Sequence, residues 1–184
     1  MIPSYLRFIK GVVDCEDLPL NISRETYQDS SLISKLRNVV TRRILKFLED
    51  EMKRDKDNYS LWFNEFQIFL KEGVMSDSEN QEQLLRLMRY RSSFESRNTT
   101  VSLEDYIKSM KEGQKKIYYV AGIDPNESMQ SPFMAPFKDS DVPVLIVSNQ
   151  IDEMVFNQIG TYKSFTFVNV ESGYEEMQKD LGER

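Results

Sequence analysis

Beyond Gly113 the chain switches between two periodicities, and that switching limits its fold more than any other feature. Lys116 to Ala121 (KIYYVA) is β-rich, Val142 to Ser148 (VPVLIVS) is a near-continuous β-branched run, and Ser164 to Val170 (SFTFVNV) alternates apolar and polar residues. Two helical stretches lie between them: Ser131 to Lys138, with Pro132 at a first helical position, and Asp152 to Ile159. Strand, helix, strand, helix, strand is the order of a small parallel or mixed sheet covered by helices. Parallel neighbours in such a sheet are joined by right-handed crossovers. The fold class expected is therefore α/β, closing in a small three-layer α/β unit at 113–184.

Before Gly113 the spacing is helical. Leu32, Ile33, Leu36, Val39, Val40, Phe47, Leu48 and Met52 recur at three- and four-residue intervals, with Ile44 and Leu45 bridging, so Ser30 to Lys53 reads as one long amphipathic helix. Trp62, Phe63, Phe66, Phe69 and Leu70 mark a second helix, Ser60 to Lys71, expected to stop at Gly73. Its aromatic stripe reads as core packing. Ser78 with Gln81 fits a capping box for a third helix carrying Leu84, Leu85, Leu87 and Met88. Ser92 to Thr100 is polar and reads as a loop. Ser102 and Asp105 repeat the capping pattern before a short helix with Leu103, Ile107 and Met110, ending near Gly113. Residues 31–112 thus read as a helical connector bundle.

At the other end, Phe8 to Val13 (FIKGVV) is apolar enough for a buried strand. No partner strand follows within a hundred residues, which would leave both its edges unpaired. The expectation is that 1–30 is the last strand and a loop of a larger α/β unit, whose other strands lie upstream in a longer protein.

Composition removes most chemistry. There is no histidine, which excludes Ser-His-Asp and Cys-His nucleophile systems, histidine bases and His-containing metal sites. The lone cysteine, Cys15, cannot close an internal disulfide, so a reducing compartment is expected, and it has no histidine to activate it. No GxxxxGK[ST], GxGxxG or CxxC motif occurs, and no apolar stretch approaches the ~20 residues of a membrane span. A net charge of −6 argues against a general nucleic-acid binder. Charge is uneven: Ser31 to Arg54 carries seven basic residues against three acidic, and Gln150 to Arg184 three against seven. The adjacent carboxylates Asp152-Glu153 and Glu175-Glu176 read as solvated charges.

Arg24 stands apart. It follows the proline-stiffened loop Asp17-Leu18-Pro19-Leu20-Asn21-Ile22-Ser23 and precedes the basic half of the long helix. An arginine so placed can reach a phosphate on another domain and offset charge developing in phosphoryl transfer, an effect of roughly 10³–10⁵ in turnover. It can also form a surface ion pair with Glu25, Asp17 or a neighbouring carboxylate, at ~0–1 kcal/mol. The loop alone leaves both open.

The whole run Phe8 to Glu25 (FIKGVVDCEDLPLNISRE) closely resembles the signature of the middle domain of the ninety-kilodalton heat-shock chaperones. The likeness continues through Leu87 to Tyr90 (LMRY), Ser102 to Met110 (SLEDYIKSM), Gln114 to Tyr119 (QKKIYY), Ser131-Pro132-Phe133 and Val144 to Glu153 (VLIVSNQIDE), in family order. Its details look closer to the bacterial form and the mitochondrial paralogue than to the cytosolic eukaryotic form. The resemblance implies a homodimeric, ATP-driven chaperone in which ATP and Mg are bound mainly by an N-terminal ATPase domain absent from this chain. Arg24 then matches the arginine that contacts the terminal phosphate, Gln28 the polar residue one helical turn later, and Asn21 and Ser23 residues that shape the loop. Client proteins would be met partly by Glu153, Met154 and Asn157, where methionine replaces the family's aromatic. Cys15 takes the place of a usual serine.

The expectation is no tight nucleotide binding by this chain alone, no metal, no nucleic acid and no membrane. Its partners would be unfolded clients, its own N-terminal ATPase domain and a second copy of the full-length protein. The expected compartment is the cytoplasm or the mitochondrial matrix. The alternative is a non-catalytic interaction module in which Arg24 is structural and the basic helix is a docking face.

Overall fold

The structure is a computed structural model that describes residues 1–14, 16 and 31–181. It opens with a 3-10 turn, Ser4–Leu6, whose Tyr5 and Leu6 are buried. Two long helices follow, α1 (Ser31–Arg54) and α2 (Lys56–Ser76), separated by Asp55, whose carboxylate accepts from the Asn58 amide as a helix N-cap. The helix α1 buries Thr41, Leu45, Leu48, Glu49 and Met52, the three- and four-residue spacing visible in its sequence. A short helix α3 (Gln81–Arg86) leads into strand β1 (Tyr90–Ser92), which turns back as β2 (Thr100–Val101) before helix α4 (Leu103–Ser109).

Beyond Gly113 come β3 (Lys116–Ala121), α5 (Pro125–Gln130), a 3-10 turn at Pro132–Met134, α6 (Ala135–Asp139), β4 (Val144–Val147) and α7 (Gln150–Ile159). The chain continues through β5 (Thr161–Tyr162) and β6 (Phe165–Asn169) to α8 (Val170–Leu181). Among the described residues six strands form one sheet in the order β2-β1-β4-β3-β6-β5. The centre is parallel: Tyr118 sits opposite Val144 on β4 and opposite Val168 on β6. The flanks are antiparallel, β1 against β4 and β5 against β6. Tyr162 and Phe165 are joined by Lys163 and Ser164, both at positive φ, as a two-residue hairpin turn requires.

Side chains alternate across this sheet, and two cores result. One face of β3 and β4, with Ile117, Tyr119, Leu145 and Val147, packs with α2 and α7. The other, with Tyr118, Val120, Val144 and Ile146, packs with Met134, Phe137, Val170 and Met177. Helices on both faces make the α/β layering that the alternating sequence predicts.

Several boundaries differ from expectation. Phe8–Val13 forms no strand: it is a turn followed by irregular coil, with Val12 97% exposed, because no strand among the described residues offers its backbone a partner. The second helix runs through Gly73 to Ser76, and the third begins after Asn80 rather than at Ser78. The ends of the supposed loop Ser92–Thr100 are strands, so a hairpin from the helical stretch contributes to the sheet. The capping box of Ser102 with Asp105 is present. Helices α5 and α8 and strand β5 carry no counterpart in the sequence reading.

Candidate functional site

Arg24, Gln28, Asn21, Ser23 and Cys15 lie outside the described residues. The helix that follows the arginine loop presents Lys35, Arg37, Arg42, Arg43 and Lys46 exposed. Arg37 donates to the carbonyl of Met1 at 2.8 Å and Lys46 pairs with Asp50 at 2.6 Å.

Glu153, Met154 and Asn157 fall on one sector of α7, since residues three and four apart on a helix are neighbours. Met154 is 61% exposed and Asn157 is exposed. Glu153 is half-buried and accepts from Asn169 Nδ2 at 3.2 Å, so β6 holds it in place. The helix is fixed at both ends: Asn149 accepts from the Ile151 amide, and Gly160, at φ +68°, closes it with its amide on the Phe156 carbonyl.

Beneath that sector lies a feature absent from the sequence reading. Asp152 is not a solvated charge. Its carboxylate stands 2.6 Å from Lys71 Nζ, with the two side chains only 5% and 1% exposed. Lys71 also donates to Gln67 Oε1 at 2.6 Å and lies over the rings of Phe63 and Tyr90. Burial pushes the lysine down from its ordinary value and the aspartic acid up, and each is opposed by the other's charge. The signal that could have found this pair is the lysine itself, placed one residue after the apolar Leu70 on the aromatic face of α2.

Next to the pair a cleft of ≈ 650 Å³ opens between α2, the β1–β2 hairpin and the start of α7. Arg89, at its wall, donates to the hydroxyl and carbonyl of Thr100 and stands 3.8 Å from Asp105. A second aromatic surface forms where Phe8 packs on Trp62, Phe66 and Phe69 at 6.0, 4.9 and 5.2 Å between ring centroids. That is partial packing of the stripe, with Phe63 fully inside and Trp62, Phe66 and Phe69 half-buried. Among the described residues no group of three or more acidic or cysteine side chains is placed to hold a metal, and no helix is long and apolar enough to cross a membrane.

The chain matches, over residues 1–184, the model of the family described as Hsp90 protein. It is similar to the chaperone protein HtpG of Desulfitobacterium hafniense, 43% identical over 173 residues, which is 94% of this chain and 28% of that protein. The HtpG of Desulfotalea psychrophila is 39% identical over 183 residues, 100% of this chain and 29% of that protein. An Escherichia coli HtpG is 40% identical over 179 residues, 97% and 29% respectively. The chain spans less than a third of the length of these relatives.

Proposed function

Because the chain belongs to the Hsp90 protein family, we propose that it is the middle segment of an ATP-driven chaperone that acts on unfolded or partly folded proteins. The match along the whole chain, to relatives named chaperone protein HtpG, carries this reading. The nucleotide and its Mg would be held by an N-terminal domain of the longer protein. Arg24 would be set against the terminal phosphate when the domains dock, with Gln28 beside it and Asn21 and Ser23 shaping the loop. A guanidinium arriving only in the docked state offsets the charge of phosphoryl transfer and makes turnover depend on closure. Client chains would meet the exposed side of α7 at Met154 and Asn157, where methionine's adaptable side chain suits varied partners. The full-length protein would dimerise and work in a bacterial cytoplasm, as the bacterial relatives suggest, or in the mitochondrial matrix.

The exposed basic side chains of α1 favour one other reading, in which this segment only docks partners and Arg24 is structural. Turnover and nucleotide affinity of the full-length protein, with and without Arg24→Ala, separate the two. A fall in kcat of about 10³ or more with affinity and folding retained supports the catalytic reading. Unchanged turnover rejects it in favour of the docking module.

A further inference from the structure

Nothing in that reading uses the chemistry of the Met154 sulfur. Nine methionines occur in the chain. Met52, Met88, Met134 and Met177 lie inside the two cores at 7% exposure or less, and Met75, Met110 and Met129 are half-buried. Apart from Met1, Met154 is the one methionine that is exposed, at 61%. A dissolved oxidant reaches a thioether only where solvent does, so the fold itself sets one sulfur apart from the rest.

Its surroundings suit a change of surface without loss of the fold. The buried side of α7 is Asp152, Val155 and Phe156, and its exposed positions are Gln150, Met154, Asn157 and Gln158. Met154 is the sole apolar side chain among those four. Gln150 stands four residues before it and Asn157 three after, the spacing of neighbours on a helix, which places an amide-bearing side chain on either side of it. The helix is held by contacts that do not involve Met154. Asn149 caps it, Gly160 closes it, Glu153 accepts from Asn169, and Gln158 donates to the Met75 carbonyl at 2.9 Å.

We propose that Met154 is a peroxide-sensitive modification site, and that its oxidation to the sulfoxide loosens the chaperone's hold on client proteins. The second half rests on the client role proposed for α7. The sulfur lone pair attacks one oxygen of hydrogen peroxide: an S–O bond forms, the O–O bond breaks, and the departing hydroxide takes the proton left on the sulfoxide oxygen and leaves as water. Sulfur gives up two electrons and the peroxide takes them. The new oxygen accepts hydrogen bonds, which the amides of Gln150 and Asn157 can donate, and the one apolar group of this sector becomes polar.

Treating the full-length protein with hydrogen peroxide and mapping its peptides by mass for one added oxygen tests the first half. Met154 is expected to convert ahead of Met75, Met110 and Met129, with Met52, Met88, Met134 and Met177 last. Affinity for fluorescently labelled, reduced and carboxymethylated α-lactalbumin, an unfolded protein, is expected to fall about threefold to tenfold and to return after methionine sulfoxide reductase with dithiothreitol. In Met154→Leu the ratio of treated to untreated affinity should stay near one, which separates Met154 from Cys15. Conversion of Met154 no faster than that of the three half-buried methionines overturns the proposal. Affinity unchanged by oxidation but lowered in Met154→Glu overturns the switch and leaves the client site standing. Affinity unchanged by both overturns the client site, and the switch with it.

Discussion

At the scale of single residues, the contact of Tyr5 with α2 shows how a glycine inside a helix is misread. Gly73 looks like a stop, yet a Cβ there would sit 2.7 Å from the Tyr5 ring. The glycine makes room for Tyr5, whose hydroxyl donates to Asp77 at 2.6 Å just past the helix end. Helix propensity favours Gly73→Ala by about 1 kcal/mol, whereas overpacking against a buried ring costs about 1–3 kcal/mol. The expected result in denaturant unfolding is a net loss of roughly 1 kcal/mol. A gain would show that Tyr5 moves aside freely. Burial raises the Asp77 carboxyl, but hydrogen bonds from Tyr5 and from the side chain and backbone of Asn80 outweigh it and hold it below its ordinary 3.8. A depressed carboxylate stabilises the fold above its unfolded value, and that contribution is lost as pH falls through the folded value. Wild type should therefore lose stability more steeply than Asp77→Asn below about pH 4. Equal slopes would remove Asp77 from the acid response.

At the scale of elements, legibility followed length. The six-residue β3 and the helices α1 and α7 carry enough repeats for their period to show, and β3 matches its expected limits. Strands of two or three residues such as β1, β2 and β5 have no period to read. Helix α8 left a faint trace: Val170, Gly173 and Met177 are its buried positions at three- and four-residue spacing, but the middle one is a glycine closely apposed to Val168. What ties the short helix α4 to the sheet was also hidden, because its partners are distant in sequence. The buried Tyr106 hydroxyl donates to the Pro143 carbonyl at 2.6 Å and accepts from the Tyr118 amide at 3.0 Å and Gln114 Nε2 at 3.2 Å. Tyr106→Phe keeps the ring and removes three hydrogen bonds, though Gln114 Nε2 keeps the Lys116 carbonyl at 2.7 Å, so a loss of about 2–3 kcal/mol is expected by chemical unfolding. Ser102→Ala, which removes the cap alone, should cost about 1 kcal/mol. Similar losses in the two variants would mean that the tyrosine serves the helix and not the sheet.

At the scale of the whole molecule, the sequence showed an α/β end and a helical middle, and the structure shows what joins them. The β1–β2 hairpin adds two strands from the helical stretch to the sheet, and Lys71 of α2 reaches Asp152 of α7. Neither was visible, because pairing across about fifty-five residues, for the hairpin, or about eighty, for the buried pair, leaves no local period. The arginine loop is the opposite case: its expected role rests only on a family likeness, since one arginine after a proline also fits a surface ion pair. The buried pair makes a firm statement about how the two parts hold together. Removing one partner leaves an uncompensated charge in a nearly dry site, so Lys71→Met should cost about 3–5 kcal/mol. Replacing both, as in Lys71→Met with Asp152→Leu, removes the charges together and should recover most of that loss, because a buried pair is seldom better than a well-packed apolar contact. Urea unfolding followed by tryptophan fluorescence, from Trp62 on α2, and by far-ultraviolet circular dichroism reads both variants. Coincident transitions with recovery in the double variant would show that the pair supplies specificity of docking between α2 and α7 rather than net stability. A double variant as weak as Lys71→Met would show instead that the charges themselves hold the helix to the sheet.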